Sequence, residues 1–282
     1  MISGKYTRYL YLLLSLLAGV IFMHSHTARA QQQTIVFGVA PGPYGDMIKF
    51  AIRPGLEQKG YKVRVTEFSD YVQPNLALAN GSIDANLFQH RPYLIKFSAD
   101  KGLKLSPLIN VPTAGLGLYS KRIKSLDELK RGDVVTLSND PTNLARGIRF
   151  LETLDLVTLK GDIDPTKATI RDIGGNPRGL EFRPLEAAQL PRTLESSAAS
   201  LVNGNFAIAS GLKLSEAIAL EQLDEELKNL VAVRTEDLNK PFAADIKAVI
   251  ESPEFAAVIQ DPQYIFRDFQ KPQWLQTKLG QK

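Results

Sequence analysis

Side chains able to do chemistry are few in this 282-residue chain, and they gather in three stretches. There is no cysteine, which excludes thiolate nucleophiles, zinc–thiolate sites and disulfides. There is no G-x-S-x-G nucleophile elbow, and no HxxxH or DxD spacing suggests a metal. Of the three histidines, His24 and His26 fall within the first 30 residues, leaving His90 alone in the body of the chain. That histidine lies in Phe68–Leu94, FSDYVQPNLALANGSIDANLFQHRPYL, where Phe88, Gln89, His90 and Tyr93 crowd together. In a second stretch Asn143 and Arg146 stand three apart, on one face of any helix that contains both. The third is Asn203-Gly204-Asn205-Phe206, again amides beside an aromatic. Such groups suit a small zwitterion: arginine binds a carboxylate, amide oxygens accept from an ammonium, and aromatics enclose an apolar tail.

Each group needs an element to aim it. Thr34–Ala40 is a β-branched, apolar run expected to form a buried first strand. The turn Pro41–Gly45 leads into a helix expected over Asp46–Lys59. Backbone N–H groups at such a helix start can meet an anion, although a plain tight βα turn accounts for the same residues. Tyr61–Phe68 reads as strand, Leu76–Ala79 as a short helix closed by Asn80-Gly81, and Ile83–Leu87 as strand. Pro92–Ala99 then reads as helix and Leu105–Val111 as strand, so the order is that of a mainly parallel sheet with helical crossovers. Ligands in such sheets bind beyond the carboxyl ends of the strands, where Phe88, His90 and Tyr93 lie.

Thr113-Ala114-Gly115 reads as a hinge before a strand over Leu116–Ser120. A capped helix is expected from Ser125, then a strand over Val134–Leu137. Asp140 and Pro141 fit the N-cap and first position of a helix. Arg146 near that helix start is opposed by the helix dipole, which an incoming carboxylate would relieve. A surface arginine paired with Glu152 or another acid is the alternative. Leu180–Leu185 and Ala198–Val202 read as strands, with a helix beginning at Leu185, and Asn203–Asn205 serves equally as a plain turn. Leu214–Leu227 is expected helical, Asn229–Val233 strand, and Pro241–Ile250 and Glu254–Ile259 helical, with a peripheral tail through Trp274.

Residues 1–30 read as a secretory leader. Lys5 and Arg8 precede the apolar run Tyr9–Met23, and Ala28-Arg29-Ala30 fits a small-x-small cleavage site. An uncleaved membrane anchor is the alternative, although the run is shorter than the ~18 residues of a spanning helix. Without Lys5, Arg8 and Arg29 the 34 basic residues fall to 31 against 30 acidic ones, so the charge calls for no nucleic-acid partner.

At FSDYVQPNLALANGSIDANLFQHRPYL, NDPTN, LEAAQLPRTL and VNGNFA the chain resembles the methionine-binding NlpA family, the substrate-binding proteins of methionine ABC importers. The resemblance runs from about Ile35 to Phe255. It implies an α/β fold of the two-lobe periplasmic binding protein type, type II-like, with a ligand cleft between lobes and two crossover strands. Lobe 1 would be residues 34–112 plus 229–282 and lobe 2 residues 113–228, after a signal peptide of residues 1–30. By the same resemblance Tyr71, Phe88, His90 and Tyr93 form the cage for the thioether chain, and Arg146, Asn143, Asn203 and Asn229 hold the α-carboxylate and amino group. It further implies a monomeric binding protein, not an enzyme, without cofactor or metal, delivering methionine (L, D or both) to a membrane permease and its ATPase. The chain departs from the pattern in lacking the lipidated cysteine after the leader, which predicts a freely diffusing periplasmic protein. It also carries Thr113-Ala114 where relatives commonly have Glu-Pro-Met-Gly, leaving a different small amino acid or a methionine-containing dipeptide as the rival ligand. A periplasmic lyase or dehydratase, with His90 and Tyr93 as acid and base, is the rival from another class.

Overall fold

The computed structural model describes residues 33–281, so the expected leader lies outside the described residues. Two five-stranded sheets organise the chain. The first forms from β1 (Thr34–Val39), β2 (Lys62–Glu67), β3 (Ala85–His90) and β4 (Leu105–Asn110). The chain then crosses to the second sheet for β5 (Gly117–Tyr119) and β6 (Val134–Ser138). A small antiparallel pair, β7 (Thr158–Leu159) and β8 (Ile173–Gly175), precedes β9 (Glu181–Leu185), β10 (Ala199–Val202) and β11 (Ala219–Leu220). The chain crosses back to add β12 (Asn229–Arg234) to the first sheet.

The sheet orders are β2-β1-β3-β12-β4 and β11-β5-β10-β6-β9. In each, the strands joined by helices run parallel and the strand at a crossing runs antiparallel: β12 between β3 and β4, and β5 between β11 and β10. Helices pack on the sheets and cover the central strands on both faces; β3 and β10 are buried at every position. One core lies at the first sheet and the C-terminal helices Pro241–Ile250 and Pro253–Gln260, and another at the second sheet and the helix Pro141–Thr153. A third apolar cluster joins Ala40, Tyr71, Phe88 and Tyr93 to Tyr119, Val202 and Phe206, so it draws on residues of both sheets and their connections.

Several expected elements are corrected. The strand expected over Ile83–Leu87 is shifted to Ala85–His90, because Asp84 turns its carboxylate back to accept from the Val36 N–H at 2.8 Å. Phe88, Gln89 and His90 are therefore on the strand rather than past it. The first helix begins at Tyr44, and its middle turn, Ile48–Ile52, is a π-helix ahead of Pro54. Ser125 does cap, accepting from the Asp127 N–H at 3.2 Å, but only a single 3-10 turn follows. Only a 3-10 turn and a short helix, Leu190–Thr193, follow Leu185. Leu214–Leu227 is not a helix, despite its acids and leucines; it breaks into 3-10 turns around β11, which pairs with β5. Pairing with β5 as the edge strand of the sheet outweighs the helix propensity there. The tail is not peripheral either, since Phe266, Phe269 and Leu275 are buried in the first core and Trp274 Nε1 donates to the Asn110 carbonyl at 2.9 Å.

Candidate functional site: an aromatic and amide cavity at the strand ends

The strand ends converge on one cavity, lined by Tyr71, Phe88, Gln89, His90, Tyr93, Ala114, Asn143, Arg146, Asn203, Gly204, Asn205 and Asn229. All eight residues singled out above line it. His90 closes β3, Asn203 follows β10, and Asn229 opens the antiparallel β12, which sets it beside His90. Asn143 and Arg146 project from the first turns of Pro141–Thr153. That helix begins where expected: Asp140 caps it, accepting from the Asn143 N–H at 2.9 Å, with Pro141 first.

A continuous hydrogen-bond chain fixes the amides. Asn143 donates its Nδ2 to both Asp140 oxygens at 3.1 and 3.0 Å. Its Oδ1 then accepts from Asn203 Nδ2 at 3.0 Å and faces His90 Nε2 at 3.3 Å. Ser138, at the end of β6, donates to Asn203 Oδ1 at 2.9 Å. His90 Nδ1 accepts from the Tyr93 N–H at 3.3 Å, so the network assigns the ring proton to Nε2. Burial, assisted by the positive charge of Arg146, lowers the His90 pKa to about 3, and its contact with Asn143 opposes the fall only in part. The ring is neutral at pH 7 and acts as a hydrogen-bond donor.

Three rings make the apolar wall. Tyr71 lies 5.7 Å from Phe88 and 5.9 Å from Tyr93, and Phe88 meets Tyr93 edge-on at 6.1 Å. Phe206, from the segment after β10, closes on Tyr71 at 4.9 Å. The hydroxyls are tied away from the ring faces: Tyr93 donates to the Tyr71 carbonyl at 3.1 Å and Tyr71 to Asn205 Oδ1 at 2.5 Å. Burial pushes both phenols well above their usual range, with the Asp140 charge adding to the rise.

Arg146 is buried, and its partner is not Glu152. Glu221 accepts from Arg146 Nε at 3.0 Å through each oxygen and from Nη2 at 2.5 Å, while Glu152 accepts from the Leu159 N–H. The surface-arginine reading fails on burial, but the pairing with an acid holds. Glu221 escaped sequence reasoning because it lay inside the expected helix Leu214–Leu227. Asn205 was also missed as a site residue: its Nδ2 donates to the Pro41 carbonyl at 2.9 Å, tying the turn after β1 to the segment after β10 next to the cage. The signal was Gly42, whose φ is +127° and whose added Cβ would lie 2.5 Å from the Asn205 carbonyl oxygen. Behind the cavity, Asn75, Asn86 and Gln89 form a closed amide cluster, and the Tyr44 side chain is fully buried. Burial raises Tyr44 to about 12, against the Ala114, Thr113 and Asn229 groups around it.

The NlpA lipoprotein family model matches residues 35–274. This chain belongs to the NlpA lipoprotein family. It is 38% identical over 223 residues to the probable D-methionine-binding lipoprotein MetQ of Vibrio cholerae, covering 79% of this chain and 82% of that one. It is 35% identical to the D-methionine-binding lipoprotein MetQ of Escherichia coli K12, covering 82% and 85%. Among solved structures, a nutrient binding protein from Burkholderia cenocepacia bound to methionine superposes with a TM-score of 0.76 at 37% identity, covering 80% of this chain and 95% of the other. The two-sheet α/β architecture is that of the periplasmic substrate-binding proteins to which these NlpA relatives belong.

Proposed function

We propose that this NlpA-family chain captures methionine, L or D, and delivers it to the permease and ATPase of an ABC importer. The observation that carries the reading is the single cavity in which a wall of Tyr71, Phe88 and Tyr93 faces an end made of Asn143, Arg146, Asn203 and Asn229. The thioether lies against the rings, each sulfur–aromatic contact contributing about 0.3–1.5 kcal/mol. Micromolar to nanomolar binding requires about 8–12 kcal/mol, so the arginine–carboxylate contact and desolvation of the cage supply most of it. The names of the relatives and the methionine in a homologous structure support this ligand.

All eight residues are no more than 7% exposed, so ligand can enter only if the halves part. We assign the lobes to residues 34–112 plus 229–282 and to 113–228, pivoting on the crossing segments at Thr113–Gly115 and before Asn229. The leader of residues 1–30 directs export, and with no cysteine in the chain there is no thiol to carry a lipid. Among the described residues no helix is long and apolar enough to cross a membrane. The ligand leaves unchanged: an acid–base pair needs pKa values near the working pH, and His90 and Tyr93 are displaced from it in opposite directions. Native mass spectrometry of protein taken from the periplasm, then calorimetric titration of ligand-free protein, tests the reading. A co-purified mass of methionine that retitrates tightly supports it; no heat with either enantiomer overturns it in favour of another amino acid or a dipeptide.

A further inference from the structure

Arg146 enters the cavity already neutralised. Glu221 stands just after β11, 7% exposed, and holds the arginine through Nε and Nη2 in a forked pair. Its carboxylate also accepts from the Leu116 N–H at 3.3 Å. Its backbone cannot swing aside, since its N–H donates to the Leu116 carbonyl at 2.9 Å and its carbonyl accepts from Gln270 Nε2 at 2.6 Å. Gln270 itself pairs with Thr113 through both backbone groups at 3.0 Å and accepts from the Leu223 N–H at 2.7 Å, so one residue fastens both crossing segments. None of the hydrogen bonds Arg146 makes to described residues uses Nη1, the nitrogen left for a ligand.

We infer that Glu221 is a specificity-determining residue: by cancelling the Arg146 charge, it makes the cavity select net-neutral zwitterions over anions of the same shape. The inference rests on the reading that the cavity takes a small amino acid. A zwitterion adds no net charge to an enclosed site, whereas a ligand with a carboxylate alone leaves one buried negative charge uncompensated. Among the described residues that line the cavity, no other side chain is a lysine or arginine. His90 is neutral, and the Asp140 carboxylate is engaged by the helix start it caps, the Asn143 side chain and Thr142. Asp70 and Glu186, whose charges reach the Tyr93 side, add further negative potential.

The test compares methionine with its desamino analogue, which keeps the thioether and carboxylate but has no ammonium, by calorimetry on ligand-free protein. Wild type should prefer methionine by at least ~100-fold, since a site built for a polar group rejects the analogue lacking it. Glu221→Gln should narrow that preference at least ~10-fold, while Glu221→Asp, which keeps the charge, retains it within about 3-fold. A purely structural role for Glu221 would weaken both ligands alike and leave the ratio unmoved, which overturns the inference. A wild-type preference below about 3-fold overturns it whether or not Glu221→Gln folds. If wild type binds another amino acid and not methionine, the methionine reading falls, and the same ratio is measured with that amino acid and its desamino form. Binding no amino acid at all overturns both.

Discussion

Replacing Arg146 by methionine should unfold as much as it unbinds. The residue is 6% exposed and its only hydrogen-bond partner among the described residues is the 7%-exposed Glu221. Removing one member of such a pair leaves a buried charge with only the Leu116 N–H, at a cost of about 3–5 kcal/mol. Replacing both members by apolar residues removes that orphan, so Arg146→Met with Glu221→Met should return to within ~2 kcal/mol of wild type. Binding should not return with it. A charge-assisted hydrogen bond to a ligand carboxylate contributes about 1.5–3 kcal/mol, so both the single and the double variant should bind methionine ten- to a hundredfold more weakly. Urea unfolding at pH 7 reads the stability and calorimetry the affinity. A single variant within 1 kcal/mol of wild type refutes the buried-pair argument, and a double variant of undiminished affinity refutes the contact with the carboxylate.

Two further outcomes follow from the network around the cavity. His90 titrates near 6.5 when unfolded and about 3 when folded, so the unfolded state binds more protons between those values and stability is lost as pH falls through that window. At about 1.4 kcal/mol per unit, His90 accounts for about 3 kcal/mol of loss at pH 4.5, and His90→Asn should flatten that part of the urea-stability profile relative to wild type. Asn205→Ala removes the partner of the Tyr71 hydroxyl and the Pro41 carbonyl, two links between the halves. Its cost of about 1–3 kcal/mol should appear as a methionine Kd at least fivefold higher with a nearly unchanged urea midpoint; equal losses in both would show that the halves do not separate on ligand release.

The succession of strands and helices in the first sheet was legible where a strand is a β-branched run bounded by turn residues, as in Thr34–Val39, because local pattern and tertiary role agree there. The start of Pro141–Thr153 was legible for the same reason, its Asp-Pro pair acting within one turn. The eight cavity residues were legible by resemblance, and the structure brings them together. What escaped depends on contacts remote in sequence. Glu221 is 75 positions from Arg146, inside a segment whose composition favours helix. Asn205 looked like a turn residue because its partners, Tyr71 and Pro41, lie 134 and 164 positions away. The strand holding His90 ran past its expected end because β12, contributed from the far end of the chain, continues to pair with it as far as Asn229.

The single tryptophan gives this protein a built-in optical gauge. Trp274 anchors its indole N–H on the Asn110 carbonyl, at the last residue of β4 before the chain leaves the first sheet, while its ring lies 6.3 Å from Phe255. It is not among the residues that line the cavity, so a ligand bound there does not rest against the indole. Any change in its emission on adding ligand therefore reports strain at the root of the crossing segment rather than contact in the pocket. The kinetics of closure can be followed by stopped-flow on the unlabelled, unmutated chain.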